Sequence, residues 1–267
     1  MTPPAADSAP RITDEQLPEL LQLLKESDSV ELKLTVPESA HYAVAATLDL
    51  DPLEAQMRQV FFFDTPDLAL NRAGVVVRAR RVQRKGGDSV VKLRPVIPGE
   101  LPETLRASEG FTTEVDAMPG AFVCSGTLKH AVDNAEVRQV AAGEMPLKRL
   151  FSKAQRAYLA EHGPEGVGLE DLSLLGPILV LKLKFERDDF EHRLVAELWN
   201  YPDGSRVLEL STKCAPSEAF QTAAEARAYL SERGVDLSAE QETKTTKALE
   251  FFAGRIKQER RHGGADA

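Results

Sequence analysis

Apolar and polar residues alternate in several short runs of this chain, and a period of two predicts strands rather than helices. In Ser29–Val36 the residues Val30, Leu32, Leu34 and Val36 share one face, while Ser29, Glu31, Lys33 and Thr35 share the other. That is a half-buried strand, and Pro37 ends it. Further strands are expected at 59–63, closed by the turn Asp64-Thr65-Pro66-Asp67, and at 75–81 and 89–94, which Gly86-Gly87-Asp88 joins into a hairpin. Others follow at 111–116, 178–185, 192–201 and 206–212. Helical spacing marks 14–25, where Leu17, Leu20, Leu21 and Leu24 recur, and then 39–48, 151–162 and 244–257. A further helix at 217–232 is stopped by Gly234. Between 118 and 175 the pattern reads as a helical, loop-rich insert. Several antiparallel strands with helices at the ends make an α+β domain, with a closed barrel as one way to arrange it.

Composition narrows the function. At 267 residues the chain can build one large β-rich domain or two ordinary ones, and one domain over 28–257 is the simpler reading. A tail and short helix, 1–27, precede it, and a disordered tail, 258–267, follows. The net charge of −9 argues against binding a nucleic-acid duplex, which needs a basic surface. Cys124 and Cys214 form no metal or redox spacing, so a reduced, cytoplasmic setting is expected. No apolar run suggests a signal peptide or a membrane span.

Against that acidic background, several strands carry charges two residues apart. These are Glu31 and Lys33, Arg78 and Arg80, Lys92 and Arg94, Lys182 and Lys184, and Glu209 with Ser211 and Lys213. Each pair points to one side of its strand. For any single pair a solvated outer face is the ordinary explanation. Taken together, like charges on neighbouring strands repel, and a shared polyanion resolves the conflict. A basic surface in an acidic protein suits a small polyphosphate.

The order of these pieces resembles the CYTH family, also called the triphosphate tunnel metalloenzymes. Ser29-Val30-Glu31-Leu32-Lys33 stands where that family has Glu-x-Glu-x-Lys, and Phe61-Phe62-Phe63-Asp64-Thr65-Pro66 fits its strand running into Asp-Thr-Pro. Arg78-Ala79-Arg80 matches its Arg-x-Arg strand, and Val90-Val91-Lys92 its strand ending in Lys. A later basic strand falls at 180–187, and Glu209-Leu210-Ser211 stands for a C-terminal Glu-x-Glu. The match runs over 28–215, interrupted by the insert.

The resemblance implies an eight-stranded antiparallel β-tunnel, a closed barrel with flanking helices and a lumen lined by charges. It implies Lys33, Arg78, Arg80, Lys92 and Lys184 as phosphate ligands, with Arg94, Lys182, Arg187 and Lys213 as further candidates. Glu31 and Glu209 would hold Mg2+ or Mn2+, with Glu197 as a third candidate, and Glu31, Lys33 and Glu209 would carry catalysis. Ser29 and Ser211 depart from the pattern, each replacing one carboxylate of a pair. The remaining carboxylates suit one ion better than two.

Three functions fit: hydrolysis of inorganic, nucleoside or thiamine triphosphate; binding of polyphosphate or a nucleotide without turnover; and cyclisation of ATP. The partner in each case is a small anionic triphosphate, with no membrane and no nucleic-acid duplex, and a homodimer is left open. Trp199 and Tyr201 alternate on one strand and read as packing. Lys244 and Lys247 read as the solvated face of the last helix, the other option being a cover over one tunnel mouth.

Overall fold

The computed structural model describes residues 12–238, 241 and 244–263, with side chains described through Ile256 except that of Thr246. Nine strands form one closed barrel: β1 (Ser29–Val36), β2 (Gln56–Asp64), β3 (Val75–Val82), β4 (Gly87–Leu93), β5 (Phe111–Met118), β6 (Ala121–Val132), β7 (Ser173–Arg187), β8 (Phe190–Asn200) and β9 (Arg206–Cys214). Around the ring the order is β1-β5-β6-β4-β3-β2-β7-β8-β9, with β9 returning to β1. The helices are α1 (Leu17–Glu26), α2 (His41–Thr47), the single turns α3 (Ala69–Arg72) and α4 (Glu103–Arg106), α5 (Asn134–Ala141), α6 (Lys153–His162), α7 (Ala219–Glu232) and α8 (Lys244–Gly263). None is long and apolar enough to cross a membrane among the described residues.

The barrel corrects the expectation of eight antiparallel strands. A closed ring of nine cannot alternate direction all the way round, so one neighbouring pair must run parallel. That pair is β1 with β5, where Ser29 faces Glu114 and Glu31 faces Asp116. The additional strand is β6, which occupies the start of what the sequence suggested was a helical insert. Its glycine is a packing requirement: a Cβ on Gly126 would lie 2.9 Å from the Tyr158 hydroxyl and 3.0 Å from the Phe111 ring. At the other end of the insert β7 starts at Ser173, before Pro177, because a register shift against β2 accommodates the proline. Only α5, α6 and two short turns, Leu147–Leu150 between them and Leu169–Asp171 after α6, remain helical.

Alternation sorts the wall. Val77, Val91, Phe111 and Leu128 point outward and are buried under α5 and α6 with Val137, Tyr158 and Leu159. Leu34, Val36, Leu194 and Leu210 are covered by Val44 of α2 and Tyr229 and Leu230 of α7. Val30, Val115 and Cys124 are covered by Leu20, Leu23 and Leu24 of α1. The opposite face of the same strands lines the lumen.

One helix packs differently. Ala248, Leu249 and Phe252 of α8 contact Val60, Phe62, Val76, Val180, Trp199 and Val207. By alternation these wall residues share the inner face with Arg58, Arg78, Lys182, Glu197 and Glu209. The helix therefore seals one end of the tunnel with apolar side chains and leaves a charged chamber beyond them. The tail expected from 258 begins as the continuation of α8, which runs to Gly263. The disordered start expected at 1–11 and the last four residues lie outside the described residues.

Candidate functional site

The chamber has a volume of about 200 Å³. Among the described residues eight cations line it (Lys33, Arg58, Arg78, Arg80, Lys92, Arg94, Lys182 and Lys244) against the five carboxylates of Glu31, Glu114, Asp116, Glu197 and Glu209. A protein with net charge −9 thus concentrates positive charge inside its own barrel. Low-dielectric walls strengthen every such interaction.

The charges form separate groups. On the β1 and β5 side, the Lys33 ammonium lies 3.0 Å from Glu31 and 2.7 Å from Asp116, and Lys92 reaches the other Asp116 oxygen at 3.2 Å. Burial would raise the Asp116 carboxyl, but Lys33 and Lys92 outweigh it and hold the group far below the usual carboxylate range. Burial likewise opposes the charge on Lys33, yet Asp116, Glu31 and Glu209 raise it above its ordinary value. For Lys92 burial wins and the ammonium is lowered, since one aspartate cannot fully compensate two lysines. Ligand oxygens of Glu31, Glu114 and Asp116 lie within 4.8 Å of one another.

The two serines now have partners. Ser29 Oγ donates to Glu114 Oε2 at 3.2 Å, and Ser211 Oγ donates to Glu31 Oε1 at 3.1 Å. The serine at 29 therefore sits beside a carboxylate that the neighbouring strand supplies.

On the β8 and β9 side, Lys244 reaches Glu197 at 2.5 Å and Glu209 at 2.6 Å, and Lys182 reaches the other Glu197 oxygen at 2.7 Å. Burial would raise the Glu197 carboxyl, but Lys244 and Lys182 hold it well below its usual range. The Trp199 ring has the Phe62 ring 6.3 Å away and the Lys244 ammonium 5.1 Å away, and its Nε1 donates to Glu197 at 3.2 Å. It packs as the sequence suggested, with its edge on the chamber.

The β2, β3 and β4 side differs. Arg80 is matched by Asp88 through two hydrogen bonds of 2.8 Å. Among the described residues the Arg58 guanidinium bonds only the neutral Gln56. Neither the Arg78 nor the Arg94 guanidinium has an ion pair or hydrogen bond among the described residues, and the Arg78 Nε is buried without a partner. Burial first, then Arg80, pushes the Arg78 guanidinium down to about 10.

Nine of the residues singled out from the sequence meet in the chamber: Glu31, Lys33, Arg78, Arg80, Lys92, Arg94, Lys182, Glu197 and Glu209. Three do not line it. Lys184 is exposed at its strand position, and Lys213 is exposed and paired with Glu114. Arg187 donates to the backbone oxygens of Leu48 at 2.6 Å and Asp49 at 3.0 Å, so it fastens the loop after α2. Arg58, Glu114 and Asp116 were not anticipated, and Lys244 only through the option that its helix covers one tunnel mouth. Glu114 and Asp116 carried a signal, since they alternate on a strand the sequence already suggested. The solvated face read for Lys244 is corrected and the other option holds: its helix covers one end of the tunnel and its ammonium points inside.

Solved structures share this architecture. One is a candidate adenylate cyclase from Bacillus halodurans, with TM-score 0.58 and 11% identity, covering 83% of this chain and 97% of its own. Another is a candidate adenylyl cyclase from Hippeastrum with a dominant triphosphatase activity, with TM-score 0.57 and 16% identity, covering 81% of this chain and 92% of its own. No protein-family model and no curated protein matches the chain. At these identities the likeness is one of fold: the chain has the charged β-tunnel that its resemblance to the CYTH family implied.

Proposed function

We propose that this chain is a metal-dependent phosphohydrolase that takes a triphosphate into the tunnel, either inorganic triphosphate or the triphosphate end of a nucleoside or thiamine ester. Arg78 carries the reading. A guanidinium enclosed without a counter-ion is costly, and an anion with several oxygens relieves that cost. Arg94 and Arg58, also without carboxylate partners, extend the same wall toward one linear polyanion.

The dimensions favour a phosphate chain over a whole nucleotide. About 200 Å³ is below the roughly 300–1,000 Å³ of pockets that enclose drug-sized ligands. A nucleoside or thiamine group would stay at the open mouth. Trp199 is 3% exposed, with Phe62 and Lys244 against its ring, so it offers no open face to a base. Both points weigh against cyclisation, which must bring the ribose hydroxyl to the phosphate.

Mg2+ or Mn2+ fits the oxygens of Glu31, Glu114 and Asp116, hard donors that converge within 4.8 Å and already hold an ammonium. Bound there, the ion would draw charge from the phosphoryl oxygens. Lys33 bridges Glu31 and Asp116 and can turn to a phosphate oxygen. Lys92, lowered by burial, is the second donor on that side. Glu31 is the most exposed of the three carboxylates at 23%, and Ser211 and Lys33 fix its two oxygens, so it is placed to orient an attacking water.

The test is phosphate release from inorganic triphosphate and from ATP with Mg2+ or Mn2+, alongside calorimetry of tripolyphosphate. Metal-dependent release that collapses in Lys33→Ala and Arg78→Ala supports the proposal. Tight binding with no release means a polyphosphate receptor, and cyclic product from ATP means a cyclase.

A further inference from the structure

The tunnel's carboxylates fall into two groups: strand lysines hold Glu31, Glu114 and Asp116, whereas Glu197 and Glu209 share an ammonium that a helix outside the barrel wall brings in. Glu197 and Glu209 face each other across β8 and β9. The ammonium between them belongs to the first residue of α8, 47 positions from Glu197 and 35 from Glu209 in sequence. Its placement is built. The Lys244 carbonyl accepts a hydrogen bond from the Tyr201 hydroxyl at 2.9 Å, and the next turns bury Ala248, Leu249 and Phe252 in the plug. The side chain is pinned at its backbone, engaged at its tip and covered on one flank by the Trp199 ring.

An ammonium and a small divalent cation compete for the same carboxylate oxygens. Both need converging anionic oxygens, and two cations cannot share them at contact distance. At Glu31 and Asp116 the ammonium is that of Lys33, a wall residue held only by its tip that turns to phosphate in the proposed site, whereas Lys244 is fixed at its backbone and at its tip. We infer that Lys244 is a tethered cation filling the Glu197–Glu209 position, so the tunnel takes up a divalent ion only at Glu31, Glu114 and Asp116, and loss of the ammonium opens a second ion site. This rests on the reading of the tunnel as a metal–triphosphate site. It further makes ion uptake depend on how α8 is seated, since unseating the plug would withdraw the lysine.

Mn2+ binding to the full chain, followed by the electron-spin signal of free Mn2+ without substrate, tests the inference. The readout is the change in stoichiometry between variants. Lys244→Met, which keeps the apolar stem, should bind about one Mn2+ more per chain than the native protein. Lys244→Arg should bind no more than the native chain, and Lys244→Met with Glu209→Gln should lose the added ion. An unchanged count in Lys244→Met, or a gain that survives Glu209→Gln, overturns the inference. Where Lys244→Met does not fold, Glu209→Gln alone decides. Unchanged Mn2+ affinity supports the tethered cation, and a drop of about tenfold or more means that Glu209 already ligates the ion. The native count tests the parent reading separately: a native chain that binds no Mn2+ refutes the Glu31 site, while the increment still reports on Lys244.

Discussion

Replacing Asp116 by Asn removes the carboxylate that Lys33 and Lys92 share, without changing the shape of the side chain. Asp116 is 4% exposed, and its oxygens lie 2.7 Å and 3.2 Å from the two ammoniums. Breaking a buried ion pair from one side costs about 3–5 kcal/mol, because the remaining charge stays desolvated. Lys33 keeps Glu31 at 3.0 Å, so the lower end applies and the expected loss is about 3 kcal/mol. For a domain of this size that corresponds to a fall in midpoint of roughly 6–12 °C, measured by thermal and urea melts at pH 7. The same two lysines, freed, should then hold a polyanion more tightly. Tripolyphosphate at about 100 times its dissociation constant adds roughly 2.7 kcal/mol and should restore most of the deficit. A loss below about 1 kcal/mol would show that water reaches the lysines and that the chamber is not the low-dielectric site described here. A full loss that tripolyphosphate leaves unrestored would show that Lys33 and Lys92 do not face the ligand.

Arg78→Ala should weaken tripolyphosphate binding by about tenfold to a hundredfold, the worth of a charged hydrogen bond, with little loss of stability because no protein partner is abandoned. Calorimetry paired with melts checks both halves, and an unchanged affinity refutes the role given to that guanidinium. Arg187→Ala should leave that affinity within about twofold and instead loosen the Leu48 and Asp49 loop, seen as faster amide exchange there. Asp116, Glu31 and Glu197 have folded values below their ordinary ones, so their contribution is full above the unfolded values near 4 and is lost as pH falls toward the folded ones. Melts taken from pH 7 down to about pH 2.5 should show stability falling throughout the lower part of that range, with a smaller gap between native chain and Asp116→Asn at the acid end. A gap that widens on acidification contradicts the assignment.

The wall of the barrel was readable because its strands alternate strictly. Ser29–Val36 begins and ends where the pattern says, since Pro37 stops it and four apolar side chains share one face. β6 escaped because Gly126 interrupts its apolar face between Cys124 and Leu128, and the glycine there serves the Tyr158 contact rather than a turn. Without β6 the parallel pairing of β1 with β5 could not be inferred, and with it went the neighbourhood of Ser29. Read along the chain, that serine looks like a lost metal ligand. Read across the sheet, it bonds Glu114. Lys244 was hidden for a different reason: helical periodicity tells which faces a helix has, and nothing in it tells that the first turn points into a barrel.

The closure between β1 and β9 ties the moment of folding to the chain's order of synthesis. Ser211 meets Glu31 across 180 positions, and Lys33 pairs opposite Ser211 in the ring. Until β9 emerges, β1 presents an open edge with Glu31 and Lys33 facing water, and such edges recruit other strands. Contacts this distant in sequence are slow to form, because the loop between them must close before they stabilise anything. A chain cut before Arg206 would therefore expose two sticky edges and half a charge network, and its fate would be association rather than a smaller tunnel.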